Sequence, residues 1–445
     1  MHVHRALAQI VLVGTWSVSE IARRVATALR YRKPTKWLND FSGRVVAEFG
    51  SEPPPPSQFR LARFISFDRA LGRITTRLLG EDSETPSCLN VLQLPKPEMS
   101  PARKLSTAGA LPKLTTPGEL ARWLEISPGE LDWFADCFGG ERLRRAGPLR
   151  HYRYLWLSKR SGRKRLLESP KLRLKNFQKK ILDEILVHVP LHAAAHAFRA
   201  GSSTLTCAAP HLGQRVVLRI DLRDFFPSIR SGRVLALFRT IGYPEAVARL
   251  LTGLCTNSVP TDVLADGGPA TNGAASRKPF EIPHLPQGAP TSPALANLCA
   301  FRLDCRLAGL ARRMGIRYTR YADDLIFSGD RQFERSLPEF RVLVCAIVID
   351  EGFSIRRRKT RVMRSGRRQE VTGLVVNRRI NVARDEFDRL KAILHNCVAS
   401  GPRVQNRDGH NNFCEHLRGR ISYVSMTNPT RGARLQRLFE RIDWS

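Results

Sequence analysis

The chain has 445 residues, and its 73 Lys and Arg against 40 Asp and Glu give a formal net charge of +33 at pH 7. Hydrophobic residues make up 42% of it, which excludes a disordered protein and allows a sizeable core. A surface this positive predicts nucleic acid as the partner, with an anionic membrane as the alternative. The excess is uneven, since residues 1–150 hold 22 basic and 15 acidic side chains and residues 151–445 hold 51 and 25. We therefore expect the polyanion site in the C-terminal two-thirds.

The apolar stretch near the N-terminus and the cysteines bear on the cellular compartment. Residues 6–16 are apolar, but Arg23 and Arg24 follow and no small-residue cleavage site is present, which predicts a cytoplasmic start. No run of about 18 apolar residues occurs, so no transmembrane helix and no membrane partner are expected. Nine cysteines without framework spacing indicate reduced thiols.

The first 113 residues are predicted to form a basic, partly helical N-terminal extension. Residues 18–29 carry apolar Ile21, Val25 and Leu29 on one helical face. Four consecutive prolines at 53–56 and a Ser-, Thr- and Pro-rich stretch at 83–112 indicate a linker.

A small helical segment is expected over residues 114–150. Thr116 is a candidate N-cap, with Pro117 in the first turn and Glu119 three residues after the cap. Ser127 and Glu130 repeat this capping pattern. The spacing predicts a pair of helices over residues 116–138.

From Tyr152 the chain alternates between short strand and helix patterns. Residues 154–157 and 164–167 predict a hairpin around Ser161 and Gly162, and residues 173–187 an amphipathic helix. Residues 216–220 form a β-branched run that predicts a buried strand ending at Asp221, and residues 318–328 predict a second hairpin.

Three acidic residues lie among apolar residues, where an ionised carboxylate is energetically unfavourable. Asp221 ends the apolar strand, and the adjacent Asp323 and Asp324 lie between apolar residues of the second hairpin. Carboxylates in such surroundings repel one another and lose hydration unless a cation neutralises them. Hard oxygen ligands suit Mg²⁺, and two such ions about 3.5–4 Å apart would serve phosphoryl transfer. The alternative is a hairpin turn whose acids face water.

Three segments occur in a characteristic order: Ile-Asp-Leu-Arg-Asp-Phe-Phe-Pro-Ser-Ile at 220–229, Leu-Pro-Gln-Gly-Ala-Pro-Thr-Ser-Pro at 285–293, and Tyr-Ala-Asp-Asp at 321–324. Together they resemble the reverse transcriptases, and most closely the bacterial retron enzymes, from about Tyr152 onward. The resemblance implies an α+β right-hand polymerase whose palm is an antiparallel sheet with helices on one face. Its fingers and palm would span residues 151–380 and its thumb, an RNA-binding region, residues 381–445.

The resemblance also implies site residues. Asp221, Asp323 and Asp324 match the catalytic aspartates that hold two Mg²⁺ ions, with Mn²⁺ as an alternative ion, and Asp323 is the more direct ligand of the pair. Phe226 matches the ring that excludes a ribose 2′-hydroxyl, although an ordinary core phenylalanine beside Phe225 is the alternative reading.

Further matches concern the nucleotide. Gln287 and Gly288 match the loop against nucleotide and template, where glycine permits close backbone approach. The basic residues Arg163, Lys164 and Arg165 match the fingers hairpin that neutralises the triphosphate. Lys359 resembles the lysine that protonates departing pyrophosphate, but contact with a nucleic-acid backbone explains it equally well.

Two signatures are typical of retron enzymes. Val371, Thr372 and Gly373 resemble the Val-Thr-Gly motif linked to recognition of the cognate RNA. His211 matches the last residue of the Asn-Ala-x-x-His motif, in which this chain has Cys207 in place of asparagine. A buried core histidine is the alternative reading of His211.

By resemblance, the chain is expected to copy part of a structured noncoding RNA into branched, 2′,5′-linked single-stranded DNA. Its partners would be that RNA as template and primer, the DNA product, dNTPs and an accessory protein of an anti-phage defence system. The alternative is another bacterial reverse transcriptase: defence-associated, diversity-generating or of group II type.

Overall fold

A computed structural model describes most of the chain. The described residues are 2–12, 16–29, 31–50, 58–68, 98–101, 111–137, 139–143, 146–158, 164–266 and 278–444. The chain divides into two compact units, a first unit of Met1–Pro190 with Ile229–Cys299 and a second of Leu191–Ser228 with Ala300–Ser445. Across these described stretches, no helix has the length and apolarity required to span a bilayer.

The first unit begins with four helices that share a core. They are His2–Leu12, Val18–Ala28, Lys36–Phe49 and Gln58–Phe67. Ile21 and Val25 are fully buried in this core, which confirms the helix predicted over residues 18–29. The other three were not predicted, although Leu38, Phe41 and Val45 of the third helix have helical spacing and are buried. The proline run at 53–56 lies outside the described residues.

The predicted helical pair is confirmed. Helices Pro117–Trp123 and Pro128–Ala135 both begin with a capping box, one between Thr116 and Glu119 and the other between Ser127 and Glu130. In each box the N-cap hydroxyl accepts from the backbone of the glutamate, and the carboxylate accepts from the backbone of the N-cap residue.

The hairpin of the first unit is also confirmed. Strand β1 (Tyr152–Ser158) pairs antiparallel with β2 (Lys164–Pro170), with Ser158 opposite Lys164. Its turn, including Ser161 and Gly162, lies outside the described residues. The remaining helices in the described part of the unit are Leu172–Glu184, Ser231–Ile241, Glu245–Cys255, Thr261–Asp266, Lys278–Glu281 and Ser292–Cys299, with 3₁₀ turns at Gly140–Leu143 and Leu186–His188.

The second unit is built on an antiparallel four-stranded sheet with strand order β4-β5-β3-β6. Its strands are β3 (Val216–Asp221), β4 (Arg317–Tyr321), β5 (Asp324–Gly329) and β6 (Arg361–Arg364). The predicted strand at 216–220 and the predicted hairpin at 318–328 are therefore confirmed. The register places Asp221 opposite Asp324, at the end of the sheet where β4 turns into β5.

Both faces of this sheet are covered, whereas the sequence predicts helices on one face only. On one face Phe327 packs against Phe340 of helix Leu337–Asp350, with ring centroids 5.0 Å apart. On the other, Val217 and Ile326 belong to a core shared with the C-terminal region. The amphipathic pattern of the C-terminal helices does not specify which surface they cover, so this second layer was missed.

The C-terminal region combines three very short strands with helices. Strands β7 (Glu370–Val371), β8 (Leu374–Val375) and β9 (Asn381–Val382) form an antiparallel sheet in the order β7-β8-β9. The helices of the second unit are Thr204–Ala208, Phe225–Ser228, Phe301–Arg313, Arg331–Arg335, Leu337–Asp350, Arg384–Ser400, Pro402–Gln405, Phe413–Thr427 and Pro429–Phe439, with 3₁₀ turns at Ala209–His211 and Arg357–Lys359.

Candidate active site

The second unit brings the three aspartates together at one end of its sheet. Asp221 is the last residue of β3 and is 1% exposed, and Asp324 opposite it is the first residue of β5. Asp323 lies in the turn before β5, where its carbonyl accepts a hydrogen bond of 2.8 Å from the amide of Leu222. Residue 322 in this turn has a φ of +54°, which is uncommon for alanine.

Two of the aspartates are paired with basic side chains. Lys359 Nζ lies 2.8 Å from Asp221 Oδ2, and Arg356 Nη1 lies 3.4 Å from Asp221 Oδ1. Arg219 donates two hydrogen bonds to Asp324, of 2.9 and 2.7 Å. Within the described part of the chain, no side chain pairs with the carboxylate of Asp323.

The surroundings of these carboxylates favour a cation. Burial raises the pKa of both Asp323 and Asp324, and the charges of neighbouring aspartates raise both further. Asp221 Oδ1 is buried and accepts no hydrogen bond from the described residues. A buried carboxylate oxygen that accepts no hydrogen bond and a second carboxylate that has no side-chain partner among the described residues fit a hard divalent ion. Among the described residues, no group of three or more His, Cys, Asp or Glu side chains is arranged around one ion position.

The two adjacent phenylalanines have different surroundings. Phe225 is 4% exposed and packs against Phe353, with ring centroids 5.7 Å apart. Phe226 is only partly buried and lies 6.2 Å from the ring of Phe198, which is 52% exposed and has a φ of +55°. Of the two, Phe226 is therefore the ring with an accessible face, and Phe198 is an aromatic neighbour that the sequence interpretation missed.

A buried ion pair supports the aspartate turn. Arg320 donates hydrogen bonds of 2.8 and 2.7 Å to Asp304, and both side chains are fully buried. Arg320 Nη1 also donates to the carbonyl of Ala322, at 3.2 Å. Neither residue was predicted, although an arginine directly before Tyr321, inside the predicted hairpin, was a usable signal.

In the first unit, the loop that carries Gln287 and Gly288 lies against β2, to which Arg165 belongs. Arg165 Nε donates to Gln287 Oε1 at 2.8 Å, and the amide of Glu168 donates to the Gln287 carbonyl at 2.8 Å. Gly288 has a φ of +133°, and a Cβ there would lie 2.8 Å from the Glu168 carbonyl oxygen. Glycine is therefore required at 288 both by conformation and by space. Lys164 is exposed at the start of β2, and Arg163 lies outside the described residues.

A buried polar network lies beneath this loop, and the sequence interpretation missed it. Glu168 accepts a hydrogen bond of 2.8 Å from Asn257 Nδ2, and its Oε1 lies 3.1 Å from His284 Nε2. Glu168 and His284 are fully buried. Since a buried carboxylate is costly unless it is satisfied, this network stabilises one position of β2 against the Gln287 loop. A glutamate at a buried strand position was the available signal.

The Val-Thr-Gly segment forms the tight turn between β7 and β8. Val371 is fully buried, while Thr372 and Gly373 have φ values of +49° and +83°. Positive φ at both turn residues is typical of a two-residue hairpin turn, in which glycine is favoured. Thr372 Oγ1 donates to the carbonyl of Thr204 at 3.2 Å. Thr372 and Gly373 are the parts of the motif on the surface.

His211 lies in the core of the second unit. It is fully buried, with Nδ1 2.6 Å from Ser328 Oγ and Nε2 2.7 Å from Thr319 Oγ1. Burial lowers the pKa of His211 to about 3. These surroundings are those of a buried core histidine, which was the alternative reading of His211 from the sequence. Cys207 is also buried, and its Sγ lies 3.3 Å from the same Thr319 hydroxyl.

Comparison with known proteins agrees with these motifs. A family model described as "Reverse transcriptase (RNA-dependent DNA polymerase)" matches residues 157–387. The chain is 42% identical over 331 residues to the retron Mx65 reverse transcriptase of Myxococcus xanthus, covering 74% of this chain and 72% of that one. It is 38% identical over 339 residues to the retron Mx162 reverse transcriptase of the same organism, covering 73% and 66%.

A more distant relative extends the same similarity. The chain is 30% identical over 276 residues to the retron Ec86 reverse transcriptase of Escherichia coli, covering 61% of this chain and 75% of that one. Enzymes with the matched domain use divalent metal ions and bind an RNA template. The chain thus belongs to the retron reverse transcriptases, and it is an RNA-directed DNA polymerase with a right-hand polymerase fold.

Proposed function

We propose that this polymerase copies part of a cognate structured noncoding RNA into multicopy single-stranded DNA that stays joined to the RNA through a 2′,5′ linkage. The observation that carries the catalytic part is that Asp221, with a buried oxygen that accepts no hydrogen bond, lies at the same end of the sheet as Asp323, whose carboxylate has no side-chain partner among the described residues. The retron part is supported by the relatives and by the Val-Thr-Gly turn at 371–373.

Asp221 and Asp323 would hold two Mg²⁺ ions, with Asp324 as the third carboxylate of the site. Bound there, the ions would supply charge neutralisation for the attacking hydroxyl and for the departing pyrophosphate. The chain's own contribution is to hold the carboxylates rigidly. The antiparallel pairing of β3 with β5 fixes Asp221 and Asp324, and the Leu222 amide fixes the backbone of Asp323.

The deoxynucleotide substrate would contact residues of the proposed fingers and palm. The accessible ring of Phe226 would lie against C2′ of the sugar and exclude a 2′-hydroxyl. Arg163, Lys164 and Arg165 would neutralise the triphosphate, while Gln287 and Gly288 form the loop beside the base pair. Lys359, already 2.8 Å from Asp221, carries an ammonium group that would donate a proton to the pyrophosphate.

The RNA would bind mainly through the basic C-terminal part of the chain. Residues 351–400 hold 13 basic and 5 acidic side chains, enough to follow a phosphate backbone. Residues 381–445 would act as the thumb, and residues 151–380 as fingers and palm. The surface turn at Thr372 and Gly373 would contact the cognate RNA. His211 would support this region from the core, because it is fully buried.

We further propose a part in anti-phage defence with an accessory protein, in the cytoplasm, which the family membership supports. Purifying the tagged full-length chain together with its RNA from cells that carry the neighbouring genes would identify such a protein. A protein that copurifies reproducibly and in stoichiometric amount supports this proposal. If the tagged chain elutes with nucleic acid and no second protein, the proposal is contradicted.

Co-expression of the chain with its flanking noncoding DNA tests the polymerase proposal. Extraction of small nucleic acids should give branched DNA that debranching enzyme shortens. Asp323→Asn should abolish the product while RNA binding persists, whereas Asp350→Asn, which alters an exposed carboxylate, should leave it unchanged. Product from Asp323→Asn would overturn the metal assignment, and linear DNA only would overturn the branched linkage.

A further inference from the structure

Arg219 and Asp324 are placed together by the register of the sheet. Side chains alternate along a strand, so Arg219 and Asp221 lie on one face of β3. Asp324 is opposite Asp221 on β5, and Arg219 is opposite Ile326. The guanidinium therefore crosses diagonally to Asp324, a distance that long side chains can span.

This pair uses both oxygens of Asp324. Arg219 Nε lies 2.9 Å from Oδ1 and Nη2 lies 2.7 Å from Oδ2, which is the two-pronged geometry in which arginine and carboxylate bind most strongly. The two side chains are 28% and 16% exposed. A metal ion that bound Asp324 directly would compete with the guanidinium for the same two oxygens, and weakening this pair would leave a partly buried charge poorly neutralised.

The other two carboxylates are in a different state. Asp221 has a buried oxygen without a hydrogen bond, and Asp323 has no side-chain partner among the described residues. Asp221 is paired with Lys359, whose side chain is exposed, and with Arg356, whose Nη1 lies 3.4 Å from Oδ1 without a hydrogen bond. Both oxygens of Asp324 are thus hydrogen-bonded to one guanidinium, whereas Asp221 Oδ1 and the carboxylate of Asp323 accept no hydrogen bond from a described side chain.

We infer that Arg219 is a positioning residue that keeps Asp324 out of direct metal coordination and balances its charge. Asp221 and Asp323 are then the direct carboxylate ligands, and the Arg219–Asp324 pair sets the net charge around them. This inference rests on the proposed metal site, so its test separates the two.

The test measures Mn²⁺ binding to the full-length protein by the electron paramagnetic resonance signal of free Mn²⁺. Asp324→Asn leaves the Arg219 charge unpaired beside the ions and should weaken Mn²⁺ binding about tenfold. Adding Arg219→Gln should restore the dissociation constant to within about twofold of the wild type, because the pair is again neutral. Arg219→Gln alone releases a carboxylate and should tighten binding.

Two control variants distinguish the effect of the Arg219–Asp324 pair on Mn²⁺ binding from the effect of net charge near the site. Arg361 lies opposite Arg219 on β6 and is exposed, so Arg361→Gln removes one charge nearby but should not rescue Asp324→Asn. Arg219→Lys keeps the charge and should not rescue it either. If the Arg219→Gln and Asp324→Asn double variant binds Mn²⁺ as weakly as Asp324→Asn, Asp324 is a direct ligand and the inference is overturned.

A separate arm tests the metal site itself. Asp221→Asn and Asp323→Asn should each abolish measurable Mn²⁺ binding. Unchanged binding in both would overturn the proposed metal site, and the role of Arg219 with it. Loss of binding in both, together with failure of the rescue, would overturn the role of Arg219 alone.

Discussion

Arg320 and Asp304 form a fully buried ion pair that also supports the backbone of the aspartate turn. The guanidinium donates to both carboxylate oxygens of Asp304 and, through Nη1, to the carbonyl of Ala322. Ala322 has a left-handed conformation and directly precedes Asp323. A non-glycine residue in this conformation is held at a free-energy cost of about 1–3 kcal/mol, so the surrounding contacts must compensate for it.

Arg320→Lys should therefore reduce both stability and catalysis. The lysine cannot make the two-pronged pair or reach Ala322 in the same way, and a broken buried pair typically costs about 3–5 kcal/mol in the free energy of unfolding. Because the turn carries Asp323, kcat should fall while KM for dNTP changes little. Urea unfolding and steady-state kinetics below the unfolding transition measure the two effects.

The matched control is Arg302→Lys. Arg302 pairs with Glu351 at 3.0 Å, but its side chain is 79% exposed, so the substitution should change stability by less than about 1 kcal/mol. An Arg320→Lys enzyme that is destabilised but has normal kcat would show that the pair supports the fold and not the turn.

The contrast between Phe225 and Phe226 yields a second prediction. Phe226→Ala should raise incorporation of ribonucleotides if, as we propose, this partly exposed ring excludes the 2′-hydroxyl. Phe225→Ala should instead destabilise the protein by about 3–5 kcal/mol, because that ring is buried. The ratio of kcat/KM values for dNTP and rNTP measures selectivity. If Phe226→Ala leaves this ratio unchanged, its ring does not select the sugar.

Gly288 provides a third prediction, concerning the loop against β2. In Gly288→Ala the new Cβ would meet the Glu168 carbonyl, and the φ of +133° is strained for alanine. The loop should move away from β2 and carry Gln287 with it, so KM for dNTP should rise several-fold. Gly232→Ala is the control, since a Cβ at 232 has no atom within 4 Å. If Gly288→Ala and Gly232→Ala have the same KM for dNTP, the close approach of residue 288 to the Glu168 carbonyl does not position Gln287.

Local patterns in the sequence predicted much of this fold, and contacts between distant residues account for what was missed. The capping boxes at Thr116 and Ser127, and the strand that ends at Asp221, depend on neighbouring residues and were confirmed. The pairing of Arg219 with Asp324 depends on strand register, and that of Arg320 with Asp304 on the packing of a helix against the sheet. A single sequence shows neither register nor packing.

Contacts between distant residues also decided the surroundings of His211 and the choice between Phe225 and Phe226. The aspartates could be named from the order of three motifs, but the sequence could not distinguish a surface histidine from a core one at 211. Its two hydrogen-bond partners, Thr319 and Ser328, lie more than a hundred positions away in the chain. The choice between Phe225 and Phe226 likewise needed the burial of each ring.

His211 leads to a prediction about stability and pH. Burial, followed by the charges of Arg317 and His196, lowers its pKa to about 3, well below the ordinary value of 6.5. The unfolded chain therefore binds a proton at this position between these two pH values while the folded chain does not. The stabilising contribution of neutral His211 is fully present above pH 6.5 and declines by about 1.4 kcal/mol per pH unit below it.

Urea unfolding at pH 7.5, 6.0 and 5.0 measures this effect as a difference between variants. His211→Gln should be less stable than the wild type at pH 7.5, because Ser328 and Thr319 lose a well-placed partner, but its stability should decline less on acidification. His395→Gln is the control, since His395 is exposed, and it should retain the wild-type pH dependence. A His211→Gln protein that loses stability on acidification as steeply as the wild type would show that His211 is protonated in the folded state.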